Sequence, residues 1–115
     1  MTRHESRISL AQMRDHAKEA IDLAKGKVRS DLDTDRVLNL ALVRLVEIIG
    51  KAANRVPPEE QDRHPEIPWP DIIGLRNRLI HGYDRVDFDI LWHIITRDLP
   101  VLVLQLDRLL APGGL

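Results

Sequence analysis

The segment Asp33–Arg55, DTDRVLNLALVRLVEIIGKAANR, decides the fold, because it is apolar on nearly every side of the helix that it predicts. Asp33 and Thr34 both belong to the residue types that cap helix N-termini well. A helix with so little polar surface must be buried on more than one side. In so small a domain we expect the second side to face another subunit, although a central helix in a monomeric bundle would bury it too.

The sequence on either side of this segment also predicts helices, because apolar residues recur at spacings of three and four. The predicted helices are Ile8 to about Val28, Pro70–His81 with Gly82 as its left-handed terminator, and Asp87–Leu110 with Asp87 as its N-cap and a kink at Pro100. Four prolines make residues 57–68 a connector with room for one short helix around residues 57–64. No stretch shows the alternation of a strand, so we predict an all-α fold, an antiparallel bundle of four main helices.

Length and composition are those of one ordinary globular domain spanning residues 1–115. Apolar residues make up 43% of the chain and charged residues 30%, and no apolar run approaches the length of a membrane helix. The chain has no cysteine, which excludes disulfides and thiolate metal sites. The first residues are polar and predict no signal peptide. We therefore expect a cytoplasmic protein that makes no use of a membrane.

The charge balance excludes one class of nucleic-acid-binding protein. The net charge is −1, from 17 basic and 18 acidic residues, whereas a general nucleic-acid coat needs a basic excess. A local basic cleft remains compatible with this balance. Such a cleft could draw on Arg63, His64, Arg76, Arg78, His81 and Arg85.

The stretch Arg76–Tyr83, RNRLIHGY, concentrates groups that can act on a phosphodiester. A guanidinium can neutralise charge on phosphate oxygens, and an imidazole can move protons near neutral pH. On a helical wheel, Asn77, Arg78 and His81 share the polar side, so we expect Arg78 to help bind a substrate there. The scattered histidines of the chain show no metal-ligand spacing, so we predict neither a metal nor another cofactor.

The same wheel leaves a second interpretation open for each of these residues. Arg76 falls within the apolar arc, where a charge must be paired, and Glu47 is the predicted partner. Arg76 is then either a buried tie between helices or a phosphate ligand. The second role requires its long side chain to bend along the groove or to meet His81 of a second subunit. His81 could merely stabilise a helix C-terminus, Asn77 could be a solvated surface residue, and Tyr83 could pack against the turn.

Over nearly its whole length the chain resembles the HepT-like toxins, a branch of the HEPN ribonucleases. The matching segments are Glu47–Gly50 before Ala52-Ala53, His64–Trp69, Arg76-Asn77, His81–Tyr83, Val86-Asp87 and Trp92. In one departure, Lys51 stands where relatives often carry an acid. The resemblance implies an all-α homodimer in which the motifs of both protomers line one cleft.

The resemblance also implies an activity and a partner. It suggests the toxin of a type II toxin–antitoxin system, a metal-independent endoribonuclease that cleaves RNA through attack by the 2'-hydroxyl. Both tRNA and mRNA are candidate substrates, and the sequence does not choose between them. Arg76 would stabilise the phosphorane, Asn77 would orient the phosphate, and His81 would be the general base or acid. A minimal nucleotidyltransferase antitoxin would inactivate the enzyme by AMPylation of Tyr83. The alternative is a non-catalytic helical binding subunit for such a nucleotidyltransferase.

Overall fold

The computed structural model describes residues 2–82 and 85–114, which fold into helices and one short hairpin. In chain order the elements are α1 (Arg3–Ala24), α2 (Asp31–Thr34), α3 (Arg36–Arg55), α4 (Pro58–Asp62), α5 (Trp69–Ile73), α6 (Leu75–Leu79), β1 (Ile80–His81), β2 (Arg85–Val86), α7 (Phe88–His93), a π-helical segment (Ile94–Asp98) and α8 (Leu99–Leu110). The predicted all-α class is confirmed. α4 is the short helix expected in the proline-rich connector.

Local capping explains where the two long helices begin. α1 begins five residues before the predicted start, since the Thr2 hydroxyl accepts a hydrogen bond from the Glu5 N–H at 3.1 Å. α3 begins after Asp35, whose carboxylate accepts from the Leu38 N–H at 3.0 Å. The predicted caps Asp33 and Thr34 are wrong because they belong to the separate single turn α2.

α3 packs one apolar face into the core and leaves the other uncovered in the single chain. It packs against α1, α2, α5 and α6, and Leu42, Val46 and Ile49 are fully buried. On the opposite face Val37 is 79% exposed and Leu40 is 50% exposed. The expectation that a second subunit covers this face remains a prediction.

α5 approaches α3 closely, and this contact positions the next segments of the chain. A Cβ atom at Gly50 would lie 3.2 Å from the backbone oxygen of Ile72, so a larger residue would force the two helices apart. Trp69 anchors the start of α5 as expected. It is 5% exposed, and its indole N–H donates to the His64 carbonyl oxygen at 3.0 Å.

The predicted third helix, Pro70–His81, is wrong at its middle and at its end. Gly74 (φ −87°, ψ 8°) interrupts it and separates α5 from α6. The helical part ends at Leu79, and Ile80 is already extended (φ −98°, ψ 121°). Ile80 and His81 form β1, which pairs antiparallel with β2 in the register Ile80–Val86 and His81–Arg85. Strands of two residues are too short to show alternation in a sequence.

The fourth predicted helix is helical without interruption but contains a wide turn. Asp87 caps α7 as predicted, accepting from the N–H groups of Asp89 and Ile90. Pro100 lies in the first turn of α8 and has no N–H to donate. The π-helical segment lies directly before it, and the Leu99 N–H bonds to the Ile94 oxygen five residues back. This wide turn leaves the proline without a missing hydrogen bond inside a regular helix, and the kink at Pro100 stays a prediction.

The loop after α1 holds the beginning of α7 in place. Arg29 donates from Nε to the Asp89 carboxylate at 2.6 Å and from Nη1 to Asp33 at 3.1 Å. The hydrogen bond with Asp89 contributes most to raising the pKa of Arg29. Its guanidinium also lies 5.9 Å from the centre of the Phe88 ring. These contacts fix the segment that follows β2.

No helix in the described part of the chain is long and apolar enough to span a membrane.

Candidate active site

α6 presents three polar side chains to solvent because two leucines hold it against the core. Leu75 and Leu79, four residues apart, are both fully buried. Arg76, Asn77 and Arg78 lie between them and are exposed. The burial of the leucines therefore fixes the directions in which the three candidate side chains leave the helix.

The structure confirms the predicted partner of Arg76 and corrects its predicted burial. Arg76 Nε lies 3.9 Å from Glu47 Oε2, but the Arg76 side chain is 59% exposed. The predicted apolar arc was too wide, because it included Ile73 and Ile80, which are only half-buried. Arg76 lies at the edge of the buried stripe, so it is not a buried tie between helices.

Arg76 lines two adjoining grooves between α3 and the α6–β1 segment. One is a cavity of about 230 Å³, where Arg76 and Asn77 face Glu47, Lys51 and Asn54 of α3. The other, of about 350 Å³, is lined by Arg76 together with Arg36, Asn39, Leu40, Val43, Glu47, Ile80, Val86 and Phe88. The guanidinium thus borders space that a phosphate group can enter, with Asn77 beside it.

Arg78 lies in a different groove. Its Nη1 is 3.4 Å from Asp98 Oδ2, and it lines a cavity of about 460 Å³ between α5 and α8 that also contains Arg97. The structure therefore does not bring Arg78 together with Arg76 and Asn77. A role for Arg78 in substrate binding stays a prediction, and it would concern a more distant part of a substrate.

His81 extends from the hairpin instead of from a helix end. It lies in β1 opposite Arg85 and its side chain is 59% exposed. Because α6 already ends at Leu79, stabilisation of a helix C-terminus does not account for this histidine. Gly82 follows with φ +65°, the left-handed conformation that was expected there, now within a hairpin.

Asp87 is the site residue that the sequence interpretation missed, although its capping role was predicted. Its Oδ2 lies 3.5 Å from His81 Nε2, while Oδ1 caps α7. The two residues are six positions apart, and only the hairpin brings them together. Recognising the strand pair around Gly82 is the signal that would have revealed this contact.

Other predicted features are dispersed or lie outside the described residues. His64 is 8% exposed and sits against Glu60, so it cannot join a basic cleft. Arg63 also pairs with Glu60, at 3.4 Å. Tyr83, the predicted modification site, lies outside the described residues. Within residues 2–82 and 85–114, no three His, Asp or Glu side chains are arranged to hold a metal ion.

Comparison with known proteins places this arrangement in one family. The profile described as "Ribonuclease HepT-like" matches residues 13–109. The chain is 39% identical over 90 residues to "Putative RNase TTE0752" of Caldanaerobacter subterraneus subsp. tengcongensis, covering 78% of this chain and 80% of that protein. It is 36% identical over 95 residues to "Probable ribonuclease HepT" of Thermococcus cleftensis, covering 79% and 86%. No solved structure matches the chain. Since the profile spans most of its length, the chain belongs to the HepT-like ribonuclease family.

Proposed function

We propose that this protein is a metal-independent endoribonuclease in which Arg76, Asn77 and His81 act on one phosphodiester. The observation that carries the proposal is the placement of Arg76. Its guanidinium is 59% exposed, borders two cavities and is held by Glu47 only at 3.9 Å. It is therefore available to a phosphate, which a guanidinium binds through two parallel hydrogen bonds. Family membership supports the same reaction class.

The reaction follows from the chemistry of these three side chains. His81 accepts the proton of the RNA 2'-hydroxyl, whose oxygen then bonds to phosphorus. The bond from phosphorus to the 5'-oxygen breaks, and that oxygen leaves with a proton from an imidazolium or from water. Arg76 offsets the negative charge that develops on the phosphorane, and Asn77 hydrogen-bonds a phosphate oxygen. The products are a 2',3'-cyclic phosphate and a 5'-hydroxyl. Because the nucleophile is the 2'-hydroxyl of the RNA itself, this route does not require a metal ion to activate water.

The cellular role that we propose is the toxin of a type II toxin–antitoxin pair. The protein acts as a cytoplasmic homodimer on tRNA or mRNA, and a minimal nucleotidyltransferase antitoxin inactivates it by attaching AMP to Tyr83. The resemblance of the chain to HepT-like toxins supports this role. Tyr83 follows His81 by two residues, so a bulky anion there would obstruct the site and repel phosphate.

The exposure of Arg76 weakens the alternative of a non-catalytic binding subunit. The support for that alternative was that Arg76 would be a buried structural arginine paired between two helices. In the structure, Arg76 is not buried. The two proposed functions predict different effects of replacing His81. A binding subunit keeps its function without an imidazole at this position, whereas the nuclease does not.

The proposal is tested by incubating purified protein with a mixed tRNA and mRNA pool in EDTA. The wild type is compared with His81→Ala and with His93→Ala. His93 is a matched control because it is also 59% exposed and pairs with an aspartate, Asp98, at 3.6 Å. We expect cleavage by the wild type and by His93→Ala, with cyclic phosphate ends, and no cleavage by His81→Ala. An inactive wild-type dimer would refute the nuclease, and an active His81→Ala variant would refute the catalytic role of His81.

A further inference from the structure

We propose that Asp87 is a positioning residue for His81, which sets the tautomer of the imidazole and leaves Nδ1 as the nitrogen that accepts the proton from RNA. The inference rests on the proposed function, since it assigns the imidazole atom that acts there. It starts from the contact between His81 Nε2 and Asp87 Oδ2 at 3.5 Å.

The backbone and the N-cap hold Asp87 more firmly than its exposure suggests. Its N–H donates to the Leu79 carbonyl oxygen at 2.8 Å. Its Oδ1 accepts from the N–H groups of Asp89 and Ile90, at 3.0 and 3.1 Å. One carboxylate oxygen is thus occupied by the cap of α7. The planar carboxylate then has to direct Oδ2 elsewhere, and Oδ2 is the atom that lies near His81.

The hairpin supplies the other half of this geometry. β1 and β2 pair His81 with Arg85, and Asp87 comes two residues after Arg85. Leu79, the residue that bonds to the Asp87 N–H, is fully buried, so the base of the hairpin is anchored in the core. Backbone pairing therefore brings the two residues within reach of each other before any substrate binds.

A carboxylate fixes the tautomer because it can only accept hydrogen bonds. Nε2 must carry the hydrogen to interact favourably with Asp87, and this leaves the lone pair on Nδ1. The distance of 3.5 Å between His81 Nε2 and Asp87 Oδ2 is longer than that of an ideal hydrogen bond. Such contacts shorten when the site is filled, and here the positive imidazolium formed by proton transfer would draw the carboxylate closer.

Two substitutions separate positioning from capping. Asp87→Asn keeps an oxygen for the cap, and Asn caps helices as well as Asp does. Its amide NH₂ then faces His81 and can only donate, which forces the hydrogen onto Nδ1 and blocks the base. Asp87→Ser also caps α7 but has no second oxygen, so it removes the restraint without imposing the wrong tautomer. Asp35→Asn and Asp35→Ser make the same changes at the N-cap of α3.

The activity measurement is steady-state cleavage of an RNA that the wild type cuts. We expect kcat to fall about tenfold to a hundredfold in Asp87→Asn and less in Asp87→Ser, with KM nearly unchanged, since only proton transfer is impaired. The Asp35 variants should retain wild-type kcat. Wild-type kcat in Asp87→Asn, with the fold verified by circular dichroism, would overturn the proposal.

The tautomer of His81 provides a readout that does not depend on catalysis. Nitrogen-15 NMR at a pH where histidines are neutral should show the hydrogen on Nε2 in the wild type and on Nδ1 in Asp87→Asn. His16 is an internal reference for the opposite tautomer, because its Nδ1 lies 2.7 Å from the Gln12 carbonyl oxygen, which can only accept. A wild-type His81 with the hydrogen on Nδ1 would refute the role of Asp87, even if RNA is cleaved. A wild type that cleaves no RNA would instead refute the proposed function, while the tautomers still decide whether Asp87 orients His81.

Discussion

Glu47 forms ion pairs with two arginines, Arg44 and Arg76, and the geometry of these pairs limits how much Arg76 can stabilise the fold. Its Oε2 lies 3.8 Å from Arg44 Nη1 and 3.9 Å from Arg76 Nε. The two arginine side chains are 61% and 59% exposed, so solvent screens both contacts. Arg44 is thus a close structural match for Arg76, because both contact the same carboxylate oxygen at similar distance and exposure.

Replacing Arg76 should therefore affect activity far more than stability. We expect Arg76→Ala to lower the free energy of unfolding by less than about 1 kcal/mol, as for other exposed ion pairs. Loss of the phosphorane ligand should lower kcat by about 10²- to 10³-fold. Urea denaturation and RNA cleavage measure the two effects. Arg44→Ala should show the same small loss of stability with normal kcat. A loss of several kcal/mol in Arg76→Ala alone would mean that the arginine is buried in the working protein.

At the scale of single residues, much of the site was accessible from the sequence. Periodicity alone named Glu47 as the partner of Arg76, because one acid interrupts the apolar stretch of α3. The exposure of Arg76 was not accessible, since it depends on which flanking apolar residues reach the core. The sequence pattern at the start of α7 identified Asp87 as an N-cap, which explains the role of one carboxylate oxygen. It could not reveal that the other oxygen lies near His81, because that contact depends on the hairpin.

Among the elements, the hairpin was hidden from the sequence while the long helices were not. Helices of 20 or more residues, such as α1 and α3, repeat their apolar spacing several times. β1 and β2 have two residues each, and their pairing depends on a chain reversal. Gly82 was identified as left-handed, yet a left-handed glycine ends helices and turns hairpins alike. The correct local conformation thus led to the wrong element.

Gly82 offers a test of what the hairpin does for the site. Gly82 and Gly26 have φ values of +65° and +74°. Beyond its chain neighbours, an added Cβ at either would meet no atom of residues 2–82 and 85–114 within 4 Å. Alanine should therefore cost only backbone strain, about 1–2 kcal/mol at each position. Gly82→Ala should also displace His81 and lower kcat, whereas Gly26→Ala should not. Chemical denaturation and cleavage assays measure both variants. Equal kcat values would show that strain at Gly82 does not reach His81.

For the molecule as a whole, one groove links the uncovered face of α3 to the candidate site. Leu40, which is 50% exposed, lines the same cavity of about 350 Å³ as Arg76. A second copy of the chain that covered Leu40 and Val37 would therefore also border Arg76. α8 carries a comparable pair of exposed residues, Val101 at 54% and Leu104 at 61%, but neither lines that cavity. Dimerisation through α3 would thus place the two sites beside each other, whereas association through α8 would not.

The two faces can be distinguished by a matched pair of charge substitutions. Leu40→Glu should convert the proposed dimer to a monomer in analytical ultracentrifugation, because a carboxylate buried in an apolar interface is costly. It should also lower the cleavage rate, since each site would lose the groove wall supplied by the second copy. Leu104→Glu, a change of the same kind at a similarly exposed leucine, should leave both the dimer and the cleavage rate intact. Because each leucine is at least half exposed in the single chain, neither substitution should unfold the protomer. A wild type that sediments as a monomer would contradict the dimer itself, and dissociation by Leu104→Glu alone would transfer the interface to α8, away from Arg76.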